Sequence, residues 1–558
     1  MSHSKRSKAN SPRASHHISR RHFFEDVAGA TAAAVIGTAV VPGTLTLASA
    51  ATAANENGPL KTGDRIEQAY EMRVQAALVQ KRLPFTLQRT NGDEDHYPSR
   101  ISSYTKALPH SESGEVDPDA YVALLRALRD GTAAGFEALP LGGEMRLSNP
   151  QGGLGFGLEG SDSHYFAIAE PPKFASAQQA GEMAELYWQS LTRDVPFAHY
   201  DADPLISRAV TDLTRLSDFR GPRSNGRLTP QTLFRGNTPG DLNGPYVSQF
   251  LWQDVPYGAT RIVQRIRTVI PGVDYLTDFS HWLEAQNGVP PMTASRPDAT
   301  PRYIRNARDL TRYVQVDFTY QAFLNACLIL LGTDASLDPA NPYKSSPTQS
   351  GFCTFGAPHV LDLLAKVANY GLKASWYQKW YVHRRVRPEE FGGAVHRVRK
   401  RIANYPIHPD LLNSTALETV FSRTGTYLLP QAYAEGCPTH PSYPAGHAVV
   451  AGACATVLKA FFDESFQIRR PVEAAADGLS VAAYRGGELY VGDELNKLAA
   501  NIAMARNAAG VHWRSDASEG LKLGQEVAIS LMREERGCLN ETFSGFTLTK
   551  FDGSQVVL

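Results

Sequence analysis

Apolar residues recur at helical spacing along most of the chain beyond residue 54. The clearest case begins at Asp117-Pro118, which places a capping side chain before a proline at the first helical position. Apolar residues then follow at i, i+3, i+4 and i+7 before Gly131 ends the pattern: Tyr121, Leu124, Leu125 and Leu128. This pattern predicts an amphipathic helix with one buried face.

Further helices are predicted in both halves of the chain. Ser176 and Gln179 have the spacing of a capping box ahead of an apolar run. Other helical patterns cover residues 313–331, 357–370, 495–506 and 520–533. So many apolar helices predict a mainly α fold, a large helical bundle with only a few short strands or hairpins.

One segment, residues 141–170, breaks this helical pattern because it is rich in glycine. We expect a short hairpin or a loop packed over the bundle. Gly155 to Gly160 formally match GxGxxG, but Ser161-Asp162 stand where a helix should begin and no clear strand precedes them. The segment is therefore not predicted to bind a dinucleotide.

The charge distribution excludes a nucleic-acid-binding role. The 558 residues contain 56 basic and 56 acidic side chains, and six of the basic ones lie within the first 50 residues. The remainder carries a net charge of about −4, which gives no electrostatic attraction to a polyanion.

The N-terminal region, residues 1–54, resembles a twin-arginine export signal that is cleaved after export. Arg20-Arg21-His22-Phe23-Phe24 precede a weakly apolar stretch rich in alanine. That stretch contains too much Ala, Gly and Thr, and is interrupted by Pro42-Gly43, so a stable membrane span is not expected. We expect a periplasmic or extracellular protein. Because this route carries folded proteins, often with a cofactor already bound, the signal also suggests a prosthetic group.

Five scattered cysteines give little information about function. None forms a CxxC pair, so neither a zinc cluster nor a disulfide framework is predicted, although one pair could still form after export.

Candidate chemistry is concentrated in three separate segments of the C-terminal half. They are KWYVHRRVRPEEFGG from Lys379, HPSYPAGHA from His440, and ARNAAGVHWRSDASEG from Ala505. Lysine and arginines from distant parts of a chain suit a compact tetrahedral oxyanion, because guanidinium groups bind oxygens in pairs. Glycine at 446 and a helix beginning nearby add backbone N–H donors. Taken singly, the arginine run could be a solvated helix face, and His447 could be an ordinary core histidine.

Together the three segments resemble the vanadium-dependent haloperoxidases, which share a superfamily with type 2 phosphatidic acid phosphatases. The resemblance covers roughly residues 376–524. Seven residues separate Lys379 from Arg387-Pro388, as in the algal bromoperoxidase branch, and HPSYPAGH with its extra His440 also matches that branch. Arg506, His512 and Asp516 complete the pattern.

The resemblance implies a vanadate cofactor and a role for each matching residue. His512 would bind vanadium, and Lys379, Arg387, Arg506 and the Gly446 N–H would bind the vanadate oxygens. His447 would act as acid and base, Lys379 would polarise peroxide, and His440 would lie near the halide with a pKa that could cross neutrality. Asp516 would orient His512, and the surrounding layer would include Ala445 and Trp376.

The implied activity is oxidation of a halide, bromide favoured, by hydrogen peroxide to hypohalous acid, which halogenates small organic molecules. Residues 55–320 would form a helical scaffold, and residues 321–558 a vanadate-binding catalytic region packed with it as one unit. By the same resemblance, the protein is expected to form homo-oligomers.

Two alternatives remain open at the level of sequence. An exported acid phosphatase could use His512 as a phosphohistidine nucleophile, because phosphate and vanadate are nearly isosteric. A non-redox homologue could simply bind an oxyanion.

One departure from the family also matters: Ala445 stands where a serine is usual.

Overall fold

The computed structural model describes residues 62–292 and 295–558. The predicted export signal at residues 1–54 lies outside the described residues. Within those ranges the protein is mainly helical, which confirms the predicted fold class. The sixteen α-helices are α1 Thr62–Arg82, α2 Asp93–His96, α3 Pro118–Asp130, α4 Ala133–Glu137, α5 Ala177–Thr192, α6 Pro204–Thr214, α7 Phe279–Gln286, α8 Ala307–Val316, α9 Gln321–Gly332, α10 Ala357–Tyr377, α11 Pro388–Arg399, α12 Pro409–Leu412, α13 Thr415–Thr424, α14 Gly446–Phe461, α15 Val491–Ala508 and α16 Arg514–Arg536.

The strands of the described chain form three separate two-stranded antiparallel hairpins. Each strand has three residues, so these hairpins decorate the bundle rather than form a sheet of their own. They pair β1 Val255–Tyr257 with β2 Thr260–Ile262, β3 Val472–Ala474 with β4 Val481–Ala483, and β5 Thr547–Thr549 with β6 Gln555–Val557.

Helix α14 lies at the centre of the main core and packs against α10, α15 and α16. Its crossing with α16 is very close: a Cβ added at Gly524 would lie 1.9 Å from the Val449 carbonyl oxygen, and one added at Gly452 would lie 2.1 Å from that of Leu521. The alanines and glycines of α14 are therefore needed for close helix packing. The same packing fixes the direction in which the N-terminus of α14 points.

Local capping agrees with the sequence patterns in one case and differs in another. The Asp117 carboxylate accepts hydrogen bonds from the N–H groups of Asp119 and Ala120 at the start of α3, as predicted. At α5, Ser176 Oγ accepts from the Gln179 N–H. The Gln179 side chain does not complete a capping box, because its Oε1 accepts from Arg385 instead, 2.7 Å away.

The prediction of one helix over residues 313–331 was wrong. Two helices, α8 and α9, meet there at 99° across a short break. Asp317 caps α8 in an extended conformation, and its carboxylate contacts His447 in the functional site. A tertiary contact thus ends a helix that the apolar pattern alone would continue.

The glycine-rich segment at residues 141–170 forms two short 3-10 turns, Pro150–Leu154 and Ser163–Tyr165, and no strand. No long helix follows Gly160, in agreement with the rejection of a dinucleotide site. All five cysteines are free.

Among the described residues, no single helix is both long and apolar enough to cross a membrane. Only the bent α8–α9 pair passes that test, on length and composition alone.

Candidate active site

The three cation-rich segments of the sequence meet in one buried region. A π-helix, Gln378–His383, follows α10 and carries Lys379. The segment from His440 leads into α14, and the third segment joins the end of α15 to the start of α16. Single π-turns within helices are rare and often found at functional sites.

The Asp516 carboxylate holds the third segment together. Its Oδ2 accepts hydrogen bonds from His512 Nδ1 at 2.8 Å, the Trp513 N–H at 3.1 Å and Ser442 Oγ at 2.5 Å. Its Oδ1 accepts from Arg385 at 2.8 Å. His512 lies just before α16, so the predicted pairing of His512 with Asp516 forms at the entrance of the helix.

This pairing determines the state of the His512 ring. Because Nδ1–H donates to Asp516, the lone pair of the neutral imidazole is at Nε2. Burial lowers the pKa of His512 well below its usual value, and the nearby Arg387, Lys379 and Arg506 cations lower it further. His512 Nε2 lies 3.0 Å from Arg387 Nη1, which can only donate. A metal can therefore bind Nε2 only if Arg387 Nη1 donates its hydrogen bond to another acceptor.

Lys379, Arg387 and Arg506 are all buried, and none of them has a carboxylate partner within the described part of the chain. Burial, followed by the Arg387 charge, lowers the pKa of Lys379 well below its usual value. Lys379 Nζ donates to the carbonyls of Pro441 and Ser442 at 2.9 and 2.7 Å. Buried cationic side chains without a carboxylate partner favour the binding of an anion.

Arg506 makes different contacts from the other two cations. Its Nη1 donates to the Val314 carbonyl at 2.9 Å and to the Tyr433 hydroxyl oxygen at 3.2 Å, while its buried Nε has no partner in the structure described. An unpartnered buried N–H is a donor available to an oxyanion.

Backbone donors come from the start of α14. The N-cap is Ala445, which has no side chain to cap the helix, and its own N–H donates to the Asp516 carbonyl at 3.0 Å. The next N–H groups, beginning at Gly446, have no acceptor within the helix, so they can bind an anion. A Cβ at Gly446 would lie 3.3 Å from the Trp376 ring, which lines this part of the site.

His447, the first residue after Gly446, is held by a residue that the sequence reasoning missed. His447 Nε2 lies 3.1 Å from Asp317 Oδ1, and the His447 side chain is 29% exposed while that of Asp317 is 5% exposed. No sequence motif marks Asp317, because it comes from the predicted interior of a helix.

His440 is buried, and its surroundings disfavour the protonated ring that the sequence prediction allowed near neutral pH. Burial lowers its pKa well below the usual value, and Arg387 lowers it further. His440 Nδ1 lies 2.9 Å from Arg387 Nη2, which can only donate, and 3.1 Å from the Pro441 carbonyl oxygen, which can only accept. The Trp376 ring lies against His440, with ring centroids 4.8 Å apart.

Two further residues of the site were also missed by sequence reasoning. Arg385 contacts Asp516 and lies within the predicted cation-rich segment, but nothing in the sequence distinguishes it from its neighbours. Ser442 is bound to Asp516. Its hydroxyl is therefore already used and does not replace the serine that is missing at position 445.

We expect Asp516→Asn to weaken both folding and anion binding. The change leaves the buried Arg385 without its closest carboxylate, which should lower the free energy of unfolding by about 3–5 kcal/mol. The substitution also removes the carboxylate that orients His512, so the affinity for vanadate should fall by roughly 10–100-fold. Chemical denaturation and calorimetric titration with vanadate would measure the two effects.

The matched control for this prediction is Glu519→Gln on the same helix, which removes the partner of the exposed Lys522. A surface pair of this kind contributes about 0–1 kcal/mol, so the control should remain close to the starting protein. Equal behaviour of the two variants would contradict the central role of Asp516.

Comparison with known proteins places these features in a family. Residues 363–541 match the family model described as the VCPO second helical-bundle domain. The chain is 35% identical to the vanadium-dependent bromoperoxidase of Corallina officinalis over 589 aligned residues, which cover 88% of this chain and 98% of that protein. It is 34% identical to the enzyme of the same name from Ascophyllum nodosum, covering 91% of this chain and 95% of that one.

A solved structure agrees with this assignment over nearly the whole chain. The homohexameric structure of the second vanadate-dependent bromoperoxidase from Ascophyllum nodosum superposes with a TM-score of 0.86 and 29% sequence identity, covering 95% of both chains. The fold, the buried cations around His512 and the relatives' sequences therefore all lead to one conclusion: this chain belongs to the vanadium-dependent bromoperoxidase family.

Proposed function

We propose that this protein is a vanadate-dependent haloperoxidase that oxidises halide, bromide preferred, with hydrogen peroxide to hypohalous acid. The hypohalous acid would halogenate small organic molecules. The observation that carries this proposal is the set of three buried cations, Lys379, Arg387 and Arg506, gathered around the neutral His512 without a carboxylate of their own. The bromoperoxidase relatives support the same reaction.

The residues present fit vanadate. Lys379, Arg387 and Arg506 would bind its oxygens together with the Gly446 N–H, and His512 Nε2 would be the single protein ligand to the metal. When bound, vanadate would supply a Lewis-acidic vanadium(V) centre that activates hydrogen peroxide towards halide. Two backbone carbonyls hold the Lys379 ammonium group in place. Its localised positive charge would act on the peroxide oxygens.

His447 would transfer the protons that the reaction requires. Asp317 holds Nε2 of the ring, so Nδ1 is the nitrogen that remains to take a proton from hydrogen peroxide and return it to a leaving oxygen. Asp317 is thus a positioning residue for the acid–base group. The partial exposure of His447 gives the peroxide access to it.

His440 and Trp376 would form the halide side of the site. Burial favours the neutral His440 ring, whose one N–H would be available to donate to an anion. The Trp376 ring, which lies against His440, would add an apolar wall to the same region and so favour a weakly hydrated halide such as bromide.

We also propose that the chain is exported by the twin-arginine route and works outside the cytoplasm as a homo-oligomer. The motif at Arg20-Arg21 supports export. The homohexameric assembly of the structurally similar Ascophyllum nodosum enzyme supports self-association.

The central test compares two reactions of the purified protein. With vanadate and hydrogen peroxide we expect bromide-dependent bromination of a phenolic dye, which stops when vanadate is removed and returns when it is added back. Hydrolysis of a phosphate ester is measured in parallel. Brisk ester hydrolysis without bromination would instead support a phosphatase, and vanadate binding without either reaction would support a non-redox oxyanion-binding protein.

Asp317→Asn should lower kcat for bromide oxidation by roughly 10–100-fold, because the His447 imidazole is retained but no longer oriented. Vanadate affinity should change little, since Asp317 does not belong to the set of donors to the oxyanion. The pH profile of kcat should also shift. Asp334→Asn makes the same charge change at an exposed position and should have no effect. An unchanged kcat and pH profile in Asp317→Asn would remove Asp317 from the mechanism.

Ala445→Ser tests the departure from the family pattern. A hydroxyl at this buried N-cap could bond a vanadate oxygen, worth about 1–3 kcal/mol, so we expect tighter vanadate binding and altered peroxide activation or halide preference. It could instead cap α14 and raise stability by about 1 kcal/mol. Thermal unfolding without vanadate isolates the capping effect. Identical vanadate affinity and halide kinetics in both proteins would show that the missing serine is unimportant.

A further inference from the structure

Helix α1 lacks a buried face. It is 21 residues long, yet none of its residues from Asp64 to Arg82 is buried. Helices in proteins are stabilised mainly by packing of an apolar face, and propensity alone supports an isolated helix of this length only marginally. Helix α1 therefore has a surface that is suited to a partner.

Large apolar side chains are exposed on two different sides of α1 and beyond its end. Ile66 is 66% exposed, and Tyr70, Met72 and Val79 are also exposed. Further along the chain, Phe85 is 89% exposed. Ile66 and Tyr70 are one turn apart and share one side of α1, and we call these two residues the N-terminal apolar surface. Exposed apolar side chains grouped on one face of a helix commonly mark an interaction site.

This surface is attached to the body of the protein by specific hydrogen bonds. The Tyr165 hydroxyl donates to the Gln80 carbonyl at 2.8 Å, and Thr86 Oγ1 donates to the Tyr165 carbonyl at 2.8 Å. Glu534 of α16 accepts from both Gln80 and the Gly160 N–H. The helix is thus held at its C-terminal end, while most of its length stays available for docking.

The charges of α1 indicate what kind of partner docks there. Its first half contains three acidic side chains and one basic, a net charge of −2, and its second half contains three basic side chains, a net charge of +3. None of them forms a salt bridge to another residue in the described ranges. The acidic residues are Asp64, Glu67 and Glu71, and the basic ones are Arg65 in the first half and Arg73, Lys81 and Arg82 in the second.

We propose that α1 docks on α1 of a second copy of this chain, antiparallel and related by a two-fold axis. Antiparallel pairing places the acidic half of each helix against the basic half of the other, and a two-fold axis satisfies both halves at once. It also buries the N-terminal apolar surface of both copies. This proposal rests on the self-association proposed above and identifies the surface responsible for it.

A charge-reversal experiment distinguishes this arrangement from other modes of assembly. One variant carries Glu67→Lys and Glu71→Lys, and the other carries Arg73→Glu, Lys81→Glu and Arg82→Glu. In each variant alone, like charges face each other across the α1 contact, which should raise the dissociation constant of that contact roughly tenfold or more. Mixing the two variants should restore assembly. Light scattering after size exclusion and sedimentation velocity measure the mass of the assembly. Far-UV circular dichroism checks folding, which should be retained because Lys and Glu have similar helix propensities.

A second pair of variants tests the apolar part without changing charge. Ile66→Gln with Tyr70→Gln should weaken assembly, whereas Phe352→Gln, at a side chain that is 72% exposed elsewhere, should not. Bromination activity is measured on every variant, so that failure of the interface and failure of the proposed reaction are seen separately.

The proposal is overturned if the wild-type protein is monomeric at micromolar concentration, or if it assembles but the variants assemble equally well. Failure of the mixed charge variants to reassociate would overturn the antiparallel pairing. Binding of a monomeric wild-type protein to vesicles of phosphatidylglycerol and phosphatidylcholine, lost in Ile66→Gln with Tyr70→Gln, would assign the surface to a membrane instead.

Discussion

The active site depends on one buried carboxylate, that of Asp516. It fixes the His512 ring, anchors Ser442 in the segment that leads into α14, and pairs with Arg385 next to the π-helix. Three segments that are far apart in sequence are therefore hydrogen-bonded to the same carboxylate. A negative charge without hydrogen bonds would be very costly at this depth, and the convergence of four donors makes it stable.

Around that carboxylate the protein keeps an excess of positive charge. Asp516 compensates Arg385, but Lys379, Arg387 and Arg506 have only carbonyl, hydroxyl or imidazole partners among the described residues. This arrangement costs free energy in the absence of an anion and favours the binding of one. Burial, followed by the charges of Arg387 and Lys379, lowers the pKa of both His512 and His440, so the buried cations affect both the affinity of the site and the protonation of its imidazoles.

Helix packing supplies the geometry that electrostatics alone could not. The close crossing of α14 and α16 requires Gly452 and Gly524, and it brings the N-terminus of α14 beside the segment that carries His512. The break between α8 and α9 brings Asp317 to His447 from an entirely different part of the chain. The proposed acid–base group and the proposed anion-binding cations thus depend on segments that meet only in the folded protein.

The sequence by itself determined the fold class, the capped helix after Asp117, and the residues that we propose for the oxyanion site. Those features depend on local spacing, on helix periodicity and on motifs that are continuous along the chain. Only the tertiary structure decided that Asp317 stands at a helix end beside His447, that Gln179 binds Arg385 rather than capping its own helix, and that burial lowers the pKa of His440. Each of these depends on burial or on a contact between residues distant in sequence, and the free energies of such contacts are absent from the local pattern.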